Sequence, residues 1–490
     1  MKHTEALLKA EKFQQKMEKI AQNDYWRPQY HIAAPANWIN DPNGFCFYKG
    51  EYHLFYQYHP YSSQWGPMHW GHVASKDLAD WEHRPIALAP TDEYDKDGCF
   101  SGSAIEKDGN LYLLYTGHVD LDNSNGGNDR IETQCLAVSH DGLCFDKVEN
   151  NPVIKSLPEN LNIKTEHFRD PKVWKHGDWY YTVVGVQTKE KSGQVVVYKS
   201  QDLINWEFLN IMATSSVKEN LGFMWECPNF AEVNGHEALI LSPQGVKPEG
   251  NKFLNLHQSG YFLGKMDYQT GIFHRDSKFD LLDYGFDFYA PQIMQDEKNN
   301  RCLMIGWLAM WESEMPEQEE GWAGMMSIPR VLEVKNNKVY SLPIPELKKL
   351  RKNNVNYDVN LVQNCILEGI NGDCYELNTV FDLTKANGFN LKLRVSENEE
   401  TVISYDKNSK IFKLNRDKSG KGVTGEREVK VNLQDEKISL QIFSDYSSLE
   451  IFINGGEYVI SSRIYPTQEA TGIVFEPMGE IKAKIDFYEI

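Results

Sequence analysis

The sequence predicts an all-β chain, a five-bladed β-propeller followed by a C-terminal β-sandwich with a short N-terminal helix, and three observations lead there. A hairpin unit recurs five times between residues 40 and 330, with turns centred on Gly50, Gly109, Gly177, Gly235 and Asn299. A second marker runs in step with it: SKDLADW from Ser75, SHDGLCF from Ser139, SQDLINW from Ser200 and a looser KMDYQTGIF from Lys265. Beyond the repeats, stretches such as LKLRVSENEETVISYDK and SLEIFINGGEYVISSRIYP alternate apolar and polar residues at strand spacing. Two separate markers that share a period near 60 residues make chance similarity a poor explanation. A unit of that length with several short strands suits one propeller blade, whereas solenoid repeats are usually shorter.

Taken in chain order, residues 1–24 set Ala10, Phe13, Met17 and Ile20 at helical spacing among interleaved Lys and Glu. This is an amphipathic helical extension expected to dock on the protein body rather than on a membrane surface. Residues 25–340 carry the propeller. SLPIPELKKLRKNN, residues 341–354, with two prolines and a basic run, reads as a linker, and residues 355–490 as the sandwich.

With 490 residues, 41% apolar and 25% charged, the chain has the profile of a soluble protein of more than one domain. No apolar run is long enough to span a membrane, and the amino terminus lacks the pattern of a signal peptide, so a cytoplasmic protein is expected. A net charge of −19 argues against nucleic acid or anionic lipid as a partner. Eight cysteines without a CxxC pair read as reduced thiols. A monomer or homodimer is expected.

WINDPNG, residues 38–44, reads locally as a turn. The repeats give its carboxylate more weight. Asp41-Pro42, Arg169-Asp170-Pro171 and Glu226-Cys227-Pro228 stand directly before the first strand of copies one, three and four, while copy five has Tyr289-Ala290-Pro291. In a propeller such positions gather at one mouth of the central channel. Shaping a turn would account for one of these acids, but three in matching places, each with Trp38, Phe168 or Trp225 nearby, would repel one another unless they bind a cation or do chemistry. No DxDxDG-like calcium loop is present. The pairs His53/His59 and His69/His72 lack an HExxH context for zinc. Acid–base catalysis without metal or cofactor is therefore expected, and glycoside cleavage is the reaction that asks for paired carboxylates.

These motifs resemble glycoside hydrolase family 32, the β-fructofuranosidases, on the side of its bacterial members that cleave sucrose 6-phosphate or sucrose inside the cell. The resemblance rests on WINDPNG, FYQYHP at 55–60, WGPMHWGHVASKDLADW at 65–81, FSGSA at 100–104, FRDP at 168–171, WECP at 225–228, DFYAPQ at 287–292 and EIFINGGEYVISSRIYP at 450–466. It implies a retaining reaction on a small-molecule sugar, with Asp41 as nucleophile, Glu226 as general acid and base, and Asp170 as stabiliser of the fructosyl unit. It further implies that Asn40, Gln57, Trp65, Phe100, Ser101, Arg169, Tyr289 and Trp307 line the sugar pocket. At the separation retention requires, the charge of Asp41 is expected to help keep Glu226 protonated. Three other readings stay open: a fructooligosaccharide hydrolase of the same family, an inverting arabinan or xylan hydrolase, and a carbohydrate-binding propeller without catalysis.

Overall fold

In the computed structural model, which describes residues 2–121, 129–216 and 218–490, five antiparallel sheets form the blades. Their first strands are Asn37–Tyr48, Gly98–Lys107, Ile163–His176, Met224–Val233 and Tyr289–Asp296 (blades I to V). These five strands touch one another in a closed cycle, I to II to III to IV to V and back to I, so they surround the axis. Trp322–Ala323, which follows blade V's second strand in sequence, runs parallel beside Asn37–Trp38 and ties the last repeat to the first.

Both sequence markers have a local physical cause. Lys49-Gly50, Asp108-Gly109 and Asn234-Gly235 are two-residue hairpin loops with both central residues at positive φ, the backbone that matches strand twist and favours glycine second. The fifth loop differs from expectation: it spans four residues after Asp296, and its left-handed residue is Asn300 rather than Asn299. The second marker is a turn after each third strand. Ser75 Oγ accepts from Leu78 N at 2.8 Å and Asp77 Oδ1 from Asp80 N at 2.9 Å, and the pairs Ser139/Asp141 and Ser200/Asp202 repeat this.

The amino-terminal helix, His3–Ala21, lies against the propeller. Its contact face runs through Ala6, Ala10 and Ala21, with Phe13 edge-on to Tyr61. Ile20, expected on that face, is 55% exposed, because close approach of the backbone favours the alanines.

In the carboxy-terminal part, Tyr375–Val395 and Gly472–Glu489 pair with each other along their length and bend through bulges at Asp382/Lys385 and Ala386/Phe389. Before the bend the first of them also pairs with Lys437–Asp445, and after it with Glu400–Asp406. The two strands thus run through both layers of the sandwich, enclosing Leu377, Phe381, Leu391, Ile442 and Ile451. Within 341–354, strand Lys338–Pro343 completes blade V, Pro345–Leu350 forms a 3₁₀ turn, and Lys352 starts the next sheet.

The sandwich docks on blades IV and V, where Tyr284 N and Phe286 N donate to Val459 O and Ser461 O. Beneath lies a fully buried charge cluster. His31 meets Asp445 at 2.7 Å and Glu450 at 3.0 Å, and Arg330 bonds Glu450 and Asp283.

Candidate active site

The acids lie inside the first strands rather than before them, at a bulge that recurs in all five blades. Pairing with the second strand slips between Ile39 and Pro42, Phe100 and Gly102, Arg169 and Lys172, Glu226 and Asn229, and Tyr289 and Gln292. WINDPNG is therefore bulged strand, not a turn. Four bulges contain or abut proline, which has no N–H to leave unpaired where the ladder breaks. Blade II has Gly102 there instead, where the backbones approach so closely that a Cβ would lie 2.1 Å from Leu114 O. Asp170, Cys227 and Ala290 sit in the left-handed region at φ of 66°, 46° and 49°, which re-aims the side chains on either side toward the axis.

The five bulges also correct the register of the acids. Asp41 and Asp170 directly precede proline, and the matching residue of blade IV is Cys227, not Glu226. Glu226 is the last paired residue before its bulge, the counterpart of Arg169 and Tyr289.

All three acids line one pocket of about 690 Å³ at the end of the axis, together with Asn40, Gln57, Trp65, Phe100, Ser101 and Arg169. Asp41 is buried and accepts from Ser101 Oγ at 2.7 Å and Asn40 Nδ2 at 3.0 Å. Asn40 is itself fixed by Trp38 Nε1 at 2.8 Å. Asp170 Oδ2 accepts from Cys227 N at 2.9 Å. The Cys227 thiol lies between the two aspartates, 3.5 Å from Asp41 Oδ2 and 3.6 Å from Asp170 Oδ2. Gln57 donates to Cys99 O, and half-exposed Trp65 stands edge-on to Phe100 at the rim.

Glu226 faces them with its side chain 15% exposed. Its Oε1 accepts from Arg169 Nε and Nη2 at 3.1 and 2.7 Å, and its Oε2 from Tyr289 Oη at 2.6 Å and Gln244 Nε2 at 2.9 Å. Tyr289 stands behind Glu226 rather than in the wall. Trp307 does not reach the pocket: it ends blade V's second strand, opposite Tyr289, and is buried against Trp38, whereas Trp311 lines the wall.

Several residues in the site carry no motif. Gln244 ends blade IV's second strand, and Glu132, on blade II's third strand, bonds Arg169 Nη1 at 3.3 Å and Phe168 N at 2.8 Å. His118 stacks flat on Phe100 at 4.0 Å, and Thr116 Oγ1 accepts from Asp170 N.

The electrostatics divide the acids. Burial lifts the Asp41 carboxyl above its usual range and the Glu226 charge adds to this, while the Ser101 and Asn40 hydrogen bonds oppose it. Asp170 is raised as well, by burial and by both neighbouring acids against the pull of Arg169. Glu226 goes the other way: burial raises it, but Arg169 and Tyr289 outweigh burial and hold it low. Arg169 likewise overcomes burial to keep Glu132 at about 2. Contrary to expectation, then, the site lowers the proton affinity of Glu226 and raises that of the aspartates.

The chain matches two family models, the glycosyl hydrolases family 32 N-terminal domain over residues 31–343 and the family 32 C-terminal domain over 346–489. It is 41% identical over 480 residues to a sucrose-6-phosphate hydrolase of Zymomonas mobilis, covering 95% of this chain and 92% of that one. To a raffinose invertase of Escherichia coli it is 38% identical, covering 93% of this chain and 94% of that one. Among solved structures, a Bombyx mori family 32 β-fructofuranosidase in complex with sucrose superposes with a TM-score of 0.85 at 37% identity, covering 98% of this chain and 97% of that one. The sucrose-6-phosphate hydrolase of Lactobacillus gasseri gives 0.87 at 29% identity, covering 98% and 96%. A propeller with a sandwich behind it, three acids in one pocket, and a match to both family models along nearly the whole sequence identify the chain as a member of glycoside hydrolase family 32.

Proposed function

We propose that the protein is a retaining β-fructofuranosidase that releases fructose from sucrose 6-phosphate and from sucrose. The observation that carries this is the opposed pair of carboxylates, buried Asp41 and part-buried Glu226, each fixed by at least two hydrogen bonds in a pocket of disaccharide size. The donors on Asp41, from Ser101 and Asn40, favour the ionised form a nucleophile needs. Asp41 attacks the anomeric C2 of the fructosyl unit as Glu226 protonates the departing glucosyl oxygen. Glu226 then takes a proton from water, which releases fructose and frees Asp41.

The proton for the first step is held in the cluster. Crowding keeps proton affinity on the aspartates, and sugar hydroxyls that draw Arg169 away from Glu226 remove what holds the acid ionised. Asp170 sits where its charge offsets that of the oxocarbenium-like transition state. The names of the relatives support sucrose 6-phosphate as substrate, and since a phosphate ester carries charge that a bilayer rejects, the enzyme would meet it in the cytoplasm.

The test is fructose release by the purified protein, with kcat/KM measured for sucrose 6-phosphate and sucrose side by side. Turnover of both is expected. A protein inert on both, or one that releases pentose from arabinan with inversion, would overturn the assignment.

A further inference from the structure

Directly after the proline of blades I, III, IV and V, and after Gly102 in blade II, every blade carries a polar residue that is buried at the axis: Asn43, Ser103, Lys172, Asn229 and Gln292. Five polar side chains in one layer, each from the same strand position, are costly to bury unless they bond one another's backbones. They do so from blade to blade. Asn43 Oδ1 accepts from Gly102 N at 3.2 Å, linking I to II. Ser103 Oγ donates to Pro171 O at 2.8 Å and accepts from Val173 N at 2.9 Å, linking II to III. Lys172 Nζ reaches Gln292 Oε1 at 2.6 Å and Ile293 O, linking III to V. Gln292 Nε2 donates to Gly102 O at 3.2 Å, linking V to II.

Asn229 is the member closest to the chemistry. Its Nδ2 donates to Cys227 O at 3.0 Å, inside the left-handed bulge beside Glu226, and to Pro291 O at 2.9 Å, inside the bulge beside Tyr289. Its Oδ1 accepts from Ile293 N at 3.3 Å. One amide thus fixes the backbone that presents Glu226 relative to the backbone that presents its hydrogen-bond donor, Tyr289.

We propose that this axial belt sets the relative position of the catalytic bulges, and that Asn229 is a positioning residue for the acid Glu226. The inference rests on the assignment of Glu226 as general acid. Asn229 touches no reacting atom and works through the Cys227 and Pro291 carbonyls. Displacements of about 1 Å at such a distance from the chemistry can cost about 10²-fold in rate.

The test compares Asn229→Ala and Asn229→Ser with Glu226→Gln on two substrates, sucrose and an aryl β-fructofuranoside whose leaving group needs little protonation. Asn229→Ala is expected to lose about 10²-fold in kcat/KM on sucrose and less than about tenfold in kcat/KM on the aryl substrate, kcat/KM reporting the step in which the leaving group is protonated. The alkaline limb of its kcat–pH profile on sucrose, where the acid loses its proton, should shift, and Asn229→Ser, which keeps one donor, should recover part of the loss. Should Asn229→Ala not fold, Asn229→Ser carries the test with the same split at smaller size. Equal losses on the two substrates, or wild-type kinetics in a folded variant, would overturn the positioning role. A Glu226→Gln enzyme that shows no split between the substrates would instead overturn the assignment of the acid, so the two failures are distinct.

Discussion

Two buried clusters of acid and base in this molecule use nearly the same side chains to opposite ends. Where the sandwich meets the propeller, Asp445, Glu450 and Asp283 share His31 and Arg330, and backbone N–H groups of Gln29, Ile328 and Ser461 supply further donors. At the mouth of the channel, Asp41, Asp170, Glu226 and Glu132 surround Arg169, which among these acids bonds the two glutamates and not the aspartates. Burial raises Asp445 and Glu450, but His31 and Arg330 overcome it and hold both below their ordinary range, and only at Asp283 does burial win in this cluster. Burial wins at Asp41 and Asp170. A satisfied cluster stabilises the fold, and a crowded one stores proton affinity for chemistry.

The contrast can be broken by charge removal. Asp41→Asn should lower kcat about 10⁴-fold or more on sucrose and on an aryl fructoside alike, since the nucleophile is lost for any leaving group. The same variant should melt at a higher temperature than the parent, because it relieves like-charge crowding. A lower melting temperature would contradict the electrostatic picture. Glu226→Gln should cost about 10³-fold in kcat/KM on sucrose and recover to within about tenfold of the parent's kcat/KM on the aryl substrate, since that ratio reports only the step in which the leaving group departs.

The interface cluster should answer the other way. Glu450→Ala leaves Arg330 and His31 with one carboxylate each, Asp283 and Asp445, in a dry interior and should cost about 3 kcal/mol of stability, read by denaturant unfolding, with the catalytic residues untouched. A loss below about 1 kcal/mol would show that the cluster is not fully desolvated.

A smaller effect lies in pH. Burial lowers the His31 pKa, but hydrogen bonds and charge from Asp445 and Glu450 outweigh it and raise it to about 9 from the ordinary value of 6.5. The protonated ring therefore contributes stability that is fully present below pH 6.5 and is lost as pH rises through about 9. The melting temperature of the parent should fall across that window more steeply than that of His31→Gln. Parallel curves would refute it. The smallest change expected is at the rim, where Trp65→Ala should raise KM a few-fold with kcat nearly unchanged, since Trp65 touches the pocket only from its half-exposed edge.

Much of the architecture was legible because it repeats. Glycine at the second hairpin position and Ser-x-Asp after the third strand each have a local cause, so their period could be counted without any long-range information. The three acids were legible through the prolines beside them. The bulges were not: Asp170, Cys227 and Ala290 take positive φ without the glycine or asparagine that usually signals it, so Glu226 could not be told from the position of Asp41 and Asp170. Gln244 and Glu132 lie on second and third strands whose alternation looks ordinary, and only the convergence of blades brings them to Glu226 and Arg169. Trp307 and Trp311 are four residues apart, and which one meets the pocket depends on where the strand stops. The proton affinity of Glu226 was not legible because it is set chiefly by Arg169, whose two bonds to it are invisible in a motif.

The central claim is that Asp41 forms a covalent fructosyl intermediate and Glu226 serves the leaving and the incoming oxygen in turn. The most direct measurement is the stereochemistry of transfer: turnover of sucrose in buffer containing methanol, with the methyl fructofuranoside identified by NMR. Methyl β-D-fructofuranoside as the sole transfer product is predicted, because two displacements at C2 restore the starting configuration. The α-anomer would contradict a double displacement through Asp41.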